Sequence, residues 1–452
     1  MGMTSTLGGN LWDQASRVLW QPSSGGRLAL HERVAHGAVW SFAGAVIAQG
    51  LNLLASIVTA RLLGRTSFGQ VGVVQSTVGM FSTLAGLALG MTATKFVAEN
   101  RSADPARAGR ILGLSWVVGG ISSAILSIAL FFASSVLAGS TLKEPAIAPL
   151  LRIAAVLVFL NGVNGIQIGA LTGFEAFKAI THINSTRAFL SLPATIVAVR
   201  YGGTSGALWA MVIAATAACF LSQRELRLEC RRSGIRVTLG EFEWRILWEF
   251  SIPSCLGGLL VMPVSWAANT ILVRQPHGYA EMGIFSAATQ WRAAVAFLPG
   301  VLGQIALPLL SNLHGENEHR NYRSVLKWIL LINASVSIAV AAPLVVFARS
   351  IMRWYGPGYE GGALVLALAA VVAILTSVNT ALASLIISSG SMWVAFALNA
   401  LWAAALLISS LILIPRYLAT GLSIAYVLAY VAHTVSQSLY GLRRLRVGGT
   451  GE

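Results

Sequence analysis

The chain has 452 residues, of which 56% are hydrophobic and only 10% are charged, and its net charge is +15 at pH 7. Soluble globular proteins contain about 25% charged residues, so this composition excludes an ordinary soluble domain. Apolar stretches recur at about 20 residues, the length of a helical membrane span, whereas a membrane barrel would alternate over about 10 residues. The three cysteines are scattered without metal-ligand spacing, and we predict no metal and no cofactor.

The hydropathy pattern predicts an all-α polytopic membrane protein with twelve spans. The fifth span is the weakest, because Arg187 and Pro193 shorten its apolar part. Most of the 31 Lys and Arg residues, Arg187 among them, are predicted on the same side of the membrane as the first 35 residues. The positive-inside rule therefore predicts that both termini lie in the cytoplasm. It also explains the net positive charge without nucleic acid as a partner. The predicted spans cover residues 37–60, 70–94, 111–138, 148–172, 186–201, 204–222, 247–273, 283–309, 326–348, 362–388, 392–414 and 420–441.

The longest break between spans divides six spans from six. We therefore expect a cytoplasmic tail at 1–35, an N-terminal lobe at 36–222, a linker at 223–246, a C-terminal lobe at 247–441 and a basic tail at 442–452. The linker reads as an interfacial helix followed by a turn at Gly234. It could sense lipid, but a plain linker that obeys the positive-inside rule is the favoured interpretation.

Weak matches between the two halves predict an internal repeat. Phe68-Gly69 corresponds to Met282-Gly283, Val163-Asn164 to Val378-Asn379, and Arg200-Tyr201 to Arg416-Tyr417, at offsets that drift from 214 to 216. Six spans separate the copies, so the repeats run parallel. Transporters built in this way carry substrate between two lobes that rock against each other around a central cavity.

Arg292 is the only full charge predicted to lie inside the membrane, in the stretch from Gly283 to Leu309. A buried arginine is costly there unless it faces water, a partner or a ligand, and we expect it to face a cavity and attract an anion. No carboxylate lies in the middle of a predicted span, and no motif for hydrolytic or phosphate-loop chemistry occurs, so the sequence predicts a transporter rather than an enzyme.

Amide side chains are the other polar groups within the predicted spans. For each of them alone, a hydrogen bond between helices is the favoured interpretation. Together with Arg292 they predict a hydrophilic cavity that binds substrate, lined by Gln290, Asn269, Gln49, Asn52, Asn164 and Asn379. Two arginines at span ends, Arg61 and Arg274, form either a cationic exit for a phosphorylated lipid or simple anchors at the interface. His433 is expected to be a satisfied polar contact.

The segment TARLLGRTSFGQVGVVQS from Thr59 to Ser76 resembles the end of the first span and the start of the second in Wzx-type polysaccharide flippases. ILVRQPHGYAEMGIFSAATQW, from Ile271, is similar to the matching part of that family's C-terminal half. The family belongs to the multidrug/oligosaccharidyl-lipid/polysaccharide (MOP) exporter superfamily. One departure is Asn269, which stands where many members have an acidic residue.

The resemblance implies a two-lobed inner-membrane transporter that flips undecaprenyl-diphosphate-linked oligosaccharide to the periplasmic leaflet. It also implies a cationic cavity for the diphosphate, in which Arg292 is the best placed residue, and a polymerase and glycosyltransferases as pathway partners. Two alternatives remain open at this point. A cation-coupled drug exporter of the same fold would need the missing carboxylate, and a membrane polymerase or ligase would resemble its class in having a large periplasmic loop.

Overall fold

The computed structural model describes residues 26–86, 89–238, 252–315, 319–388 and 392–447, and these ranges contain helices and turns only. A π-helical turn at Leu137–Thr141 and short 3-10 turns at Pro145–Ile147 and Glu360–Gly362 connect some of the helices. The helices are α1 Gly26–Gly86, α2 Leu89–Asn100, α3 Pro105–Val136, α4 Ala148–Gly173, α5 Phe177–Arg232, α6 Ile252–Val273, α7 Gly278–Gly315, α8 His319–Val346, α9 Ala348–Arg353, α10 Ala363–Ser388 and α11 Met392–Val447.

Three long helices each contain one residue with positive φ that divides the helix into two arms. The breaks are at Gly64 in α1, Gly203 in α5 and Leu418 in α11. Each broken helix therefore accounts for two predicted spans, although span 70–94 continues into α2. The other predicted spans fall largely on single helices, and span 247–273 begins before the described residues. Within the described residues, seven helices are long and apolar enough to cross a membrane. The all-α polytopic fold is confirmed.

Successive arms run in opposite directions, so the turns alternate between two ends of the molecule. At one end, which we call the Glu175 end, Arg101 forms an ion pair of 2.7 Å with Glu175 and so joins the turns after α2 and α4. At the opposite end, the Gly64 end, the Tyr279 hydroxyl donates to the carbonyl of Leu142 at 2.8 Å. These contacts hold both sets of turns together.

The predicted repeat is visible in the backbone at the Gly64 end. Gly203 and Leu418 are 215 residues apart and have nearly the same angles, φ 53° and ψ −130° against φ 50° and ψ −126°. Gly206 and Gly421 are also 215 residues apart. A Cβ atom at Gly206 would lie 1.8 Å from the carbonyl oxygen of Ala198, and one at Gly421 would lie 2.3 Å from that of Leu413. The turn between the last two spans of each lobe is therefore built in the same way twice.

The two lobes meet where the second arm of α1 crosses α7. A Cβ atom at Gly69 would lie 1.8 Å from the carbonyl oxygen of Tyr279, and one at Gly283 would lie 2.2 Å from that of Arg65. Small residues of this kind allow membrane helices to approach closely, which increases their van der Waals contact. The two glycines are the repeat-related pair found in the sequence, so the repeat supplies both sides of the contact between the lobes.

Two predictions on α5 need correction. The helix begins at Phe177 rather than at residue 186, so Arg187 lies ten residues inside it rather than at the start of the span. The helix also continues to Arg232, so the first part of the predicted linker 223–246 extends the sixth span. The turn at Gly234 is confirmed by its φ of 66°. Residues 1–25, 239–251 and 448–452 lie outside the described part, and the exact lobe boundaries stay predictions.

Candidate functional site between the lobes

Arg292 lies in the middle of α7, fourteen residues after Gly278 and thus about 21 Å along the helix axis. Its guanidinium carbon is 5.7 Å from the centre of the Tyr426 ring in α11. The side chain is only partly buried, and no acidic residue of the described part forms an ion pair with it. A cation held over an aromatic face keeps its N–H groups free to donate to an anion.

The Tyr426 ring is itself fixed by its neighbours. It is 6% exposed, stacks on Phe285 at 5.8 Å between ring centres, and lies 6.4 Å from the ring of Trp402. Its hydroxyl interacts with Ser265 in α6. Three helices of the C-terminal lobe therefore hold the surface on which Arg292 rests, and the guanidinium has a defined position.

Asn269 lies one helical turn after Ser265 and forms a bond between the lobes. Its amide nitrogen donates to the Ser76 hydroxyl at 2.8 Å, and close by the Trp266 indole donates to the Thr77 hydroxyl at 3.0 Å. Asn269 is 8% exposed, and its amide oxygen has no partner among the described residues. Asn269, which stands where the resemblance leads one to expect an acidic residue, thus forms a direct hydrogen bond between the two lobes.

Arg61 and Arg65 close the Gly64 end with hydrogen bonds to the opposite lobe. The Arg61 Nε donates to the carbonyl of Trp354 at 2.6 Å, and the Arg65 Nη1 donates to that of Gly358 at 3.2 Å. Arg61, predicted as an exit cation, is therefore engaged with a backbone carbonyl. Arg274 lies at the same end, where it is exposed and makes no side-chain hydrogen bond within the described part.

An aromatic cluster lies beneath these arginines. Phe68 of the N-terminal lobe is 6.4 Å from the rings of both Tyr355 and Tyr359, and all three residues are buried. Burial, followed by the neighbouring Tyr355, raises the pKa of Tyr359 above that of a free phenol, so this ring stays neutral. The cluster and the two arginine bonds form one continuous seal, which we call the Gly64-end seal.

Two amides of the N-terminal lobe are hydrogen-bonded to neighbouring side chains, although four buried serine hydroxyls of this lobe have no partner within the described residues. The Asn164 amide donates to the Ser222 hydroxyl at 2.9 Å and to the Gln167 side chain at 3.2 Å. Gln167 in turn donates to Gln223 at 3.1 Å. These bonds join α4 to the second arm of α5, so Asn164 serves as a contact between helices in this structure.

The polar groups of the C-terminal lobe are buried with fewer partners. Asn379 is 5% exposed, and both of its amide atoms lack a hydrogen bond within the described residues. His433 and Gln437 bond each other at 3.1 Å, but the His433 Nδ1 and the Gln437 Oε1 have no partner there. The expectation that His433 is fully satisfied is therefore wrong for one of its two ring nitrogens.

The remaining predicted site residues form no described hydrogen bond. Gln49 and Gln290 are partly buried and Asn52 is exposed, on α1 and α7. No hydrogen bond of the described part joins any of them to Arg292.

Sequence reasoning missed Tyr426 and Ser76, whose partners are remote in the chain, and it misplaced Arg187. Arg187 lies ten residues after Phe177, about 15 Å into α5, and interacts with Cys219. Arg292 is thus not the only cation inside a long helix. A predicted span that began near Lys178 would have placed Arg187 inside the helix.

A family described as polysaccharide biosynthesis protein matches residues 34–314, which is more than half of the chain. The chain is similar to the EPS I polysaccharide export inner membrane protein EpsE of Ralstonia solanacearum, at 29% identity over 202 residues that cover 44% of this chain and 46% of the relative. The corresponding protein of Ralstonia nicotianae is 30% identical over 167 residues, which cover 36% and 37%. The chain therefore spans less than half the length of these curated relatives.

Two solved structures share the fold at low identity. An inward-facing multidrug resistance MATE family transporter of the MOP superfamily aligns with a TM-score of 0.77 and 17% identity, over 89% of this chain and 96% of that one. An outward-facing structure aligns with a TM-score of 0.65 and 16% identity, over 92% and 97%. The chain thus has the two-lobed MATE-like fold, and it belongs to the polysaccharide biosynthesis protein family.

Proposed function

We propose that this protein flips an undecaprenyl-diphosphate-linked oligosaccharide from the cytoplasmic to the periplasmic leaflet for the assembly of a surface polysaccharide. The observation that carries the proposal is Arg292, a fixed and partly exposed cation in the middle of α7 without an acidic partner among the described residues. A diphosphate is the group that such a cation attracts, because a guanidinium forms paired hydrogen bonds with phosphate oxygens.

The similarity to the two polysaccharide export proteins supports the same class of substrate. It also supports a location in the bacterial inner membrane, where the charge distribution places both termini in the cytoplasm. In this setting the enzymes that act before and after the protein are glycosyltransferases that build the lipid-linked oligosaccharide and a polymerase that joins its repeat units.

The contacts between the lobes support alternating access. The described hydrogen bonds between the lobes involve the Gly64-end seal, the Tyr279–Leu142 contact and the pairs Ser76–Asn269 and Thr77–Trp266. With the termini inside, these bonds lie toward the periplasm. The backbone also aligns better with the inward-facing neighbour than with the outward-facing one. Release of substrate to the periplasm would then require the Arg61 and Arg65 bonds to break while the lobes rock.

A drug exporter of the same fold is the weaker candidate. Exporters coupled to a cation use a carboxylate within the membrane, and the acidic residues of the described part lie in turns or near helix ends, as Glu281 does in the first turn of α7. Asn269 occupies the position where the family resemblance leads one to expect an acid.

The test is complementation of polysaccharide output in a strain that lacks the gene. Arg292→Ala should reduce output at least about tenfold, because it removes a charged hydrogen bond to the diphosphate. Arg292→Lys should keep part of the output, since it retains the charge. Arg349→Ala is the matched control, because Arg349 is an exposed arginine near the Gly64 end.

All three variants are first checked for equal amounts in the membrane. Wild-type output from correctly inserted Arg292→Ala protein would contradict the proposal. Resistance to cationic drugs conferred by the wild-type protein, together with no effect on polysaccharide, would favour the exporter.

A further inference from the structure

The second arm of α5 carries one continuous exposed stripe. Its members are spaced by three, four or seven residues, so they lie on the same face of the helix. Trp209, Ile213 and Phe220 are 49%, 50% and 72% exposed, and Arg224, Arg227 and Arg231 continue the same face as exposed residues. The stripe therefore changes from apolar to cationic at Arg224.

The apolar part of this stripe faces lipid. A water-filled cavity in a membrane protein is lined by polar groups, whereas large apolar side chains exposed along a span contact acyl chains. The cationic part extends from Arg224 to Arg231, a distance of seven residue steps or about 10.5 Å along the helix axis. It follows directly after the lipid-facing part, at the Glu175 end of the lobe.

The three arginines line a groove of about 300 Å³ together with Phe220, Gln223 and Leu228. No acidic residue of the described ranges pairs with any of them, although Glu229 lies on the same helix. Glu229 instead forms an ion pair of 2.7 Å with Arg232, on the neighbouring face. The groove thus offers three free guanidinium groups next to an exposed aromatic ring.

We propose that this groove binds one anionic phospholipid of the leaflet at the Glu175 end. The phosphate would lie among Arg224, Arg227 and Arg231, and an acyl chain would run along Phe220 toward Ile213. Clusters of basic residues beside a span attract anionic lipids. Here the cationic part of the helix matches the phosphate headgroup, and the apolar part that adjoins it matches the acyl chain. The site lies on the outer face of the lobe and does not depend on the proposed transport activity.

The groove is also connected to the interior of the lobe. Gln223, one of its lining residues, accepts a hydrogen bond from Gln167, which belongs to the chain of bonds that reaches Asn164 and Ser222. An occupied groove therefore stabilises the packing of α4 against α5, because the lipid contacts residues on both sides of Gln223 in the helix.

The test measures phospholipid retained by the purified full-length protein. The protein is reconstituted in vesicles of phosphatidylethanolamine with phosphatidylglycerol as the minor component, extracted in detergent, and analysed by native mass spectrometry. Arg224→Gln/Arg227→Gln should weaken phosphatidylglycerol binding about 30-fold, because each arginine near the surface contributes about a fivefold factor in affinity. Arg232→Gln/Arg236→Gln removes the same charge from exposed positions outside the stripe and should retain lipid as the wild type does.

Two further variants separate a lipid from other occupants. Arg224→Lys/Arg227→Lys keeps the positive charge that sets topology and should bind with intermediate affinity, since lysine lacks the paired donors of arginine. Phe220→Ala leaves the charge unchanged and should reduce retention if an acyl chain lies on the ring. The proposal would be overturned if both glutamine double variants lost phosphatidylglycerol equally, or if the wild type retained phosphatidylethanolamine as well as phosphatidylglycerol. It would also be overturned if soluble glycerol phosphate displaced the bound lipid and Phe220→Ala had no effect on retention.

Discussion

Asn164 in α4 and Asn379 in α10 are 215 residues apart and occupy equivalent places in the two lobes, but their surroundings differ. Asn164 donates to Ser222, and the residue equivalent to Ser222 in the other lobe is Gln437. Asn379 forms no such bond among the described residues, and the Gln437 oxygen also lacks a partner there. The same position is thus a structural bond in one lobe and an unused polar group in the other.

This difference indicates a division of labour between the lobes. A buried polar atom without a partner costs about 1–3 kcal/mol, and such groups persist mainly where they serve a function. In the C-terminal lobe two such groups, on His433 and Gln437, lie on α11, the helix that carries Tyr426, and His433 is two turns beyond Tyr426 on the same face. The C-terminal lobe therefore keeps unused amide and imidazole groups, some of them on the helix that contacts Arg292, whereas Asn164 of the N-terminal lobe is bonded.

The largest expected effect tests what the lobes share. Gly206→Ala and Gly421→Ala should each destabilise the protein by about 1–3 kcal/mol, because in both lobes the new Cβ would collide with a backbone carbonyl. Gly202→Ala is the control, since a Cβ at that position meets nothing within 4 Å. Thermal unfolding in detergent is the measurement. A strong effect in one lobe only would show that the two turns are not equivalent in the folded protein.

A smaller effect tests what the lobes do not share. Asn164→Ala should lower stability by about 1 kcal/mol more than Asn379→Ala, because only the first substitution removes hydrogen bonds within the described part. The truncated side chain is the same in both variants, so the costs of the cavities are comparable. Equal destabilisation in a thermal unfolding experiment would mean that Asn379 has a partner in the folded protein, and the contrast between the lobes would disappear.

The smallest expected effect concerns the bond that joins the lobes. A double-mutant cycle of Asn269→Ala and Ser76→Ala should give a coupling energy of about 0.6 kcal/mol, the usual size for a side-chain hydrogen bond between membrane helices. The pair Trp266→Phe and Thr77→Ala provides a second cycle across the same interface. A coupling of zero in both cycles would indicate that the lobes are apart under the conditions of measurement.

The sequence predicts where the spans lie along the chain, but it does not predict which side of each helix faces lipid and which faces other helices. Hydropathy alone begins the fifth span at residue 186 and so leaves Arg187 at its cytoplasmic end, whereas the helix begins at Phe177 and contains that charge ten residues further in. The groove on α5 was likewise divided between a span and a linker. Hydropathy reflects the free energy of placing each residue in the membrane. It contains no information on which face of a helix a residue occupies, so it does not show that exposed arginines continue the lipid-facing stripe beyond the apolar region.

The sequence by itself determined the membrane class, the order of the spans, the repeat at an offset near 215 and the position of Arg292 within a helix. These properties depend on composition and on spacing along one helix. Only the tertiary structure decided that Arg292 lies over Tyr426, that Asn269 bonds Ser76, and that Arg61 bonds Trp354, 293 residues away in the chain. The reason is that each of these contacts depends on how two separate helices rotate and cross, and no local pattern carries that information.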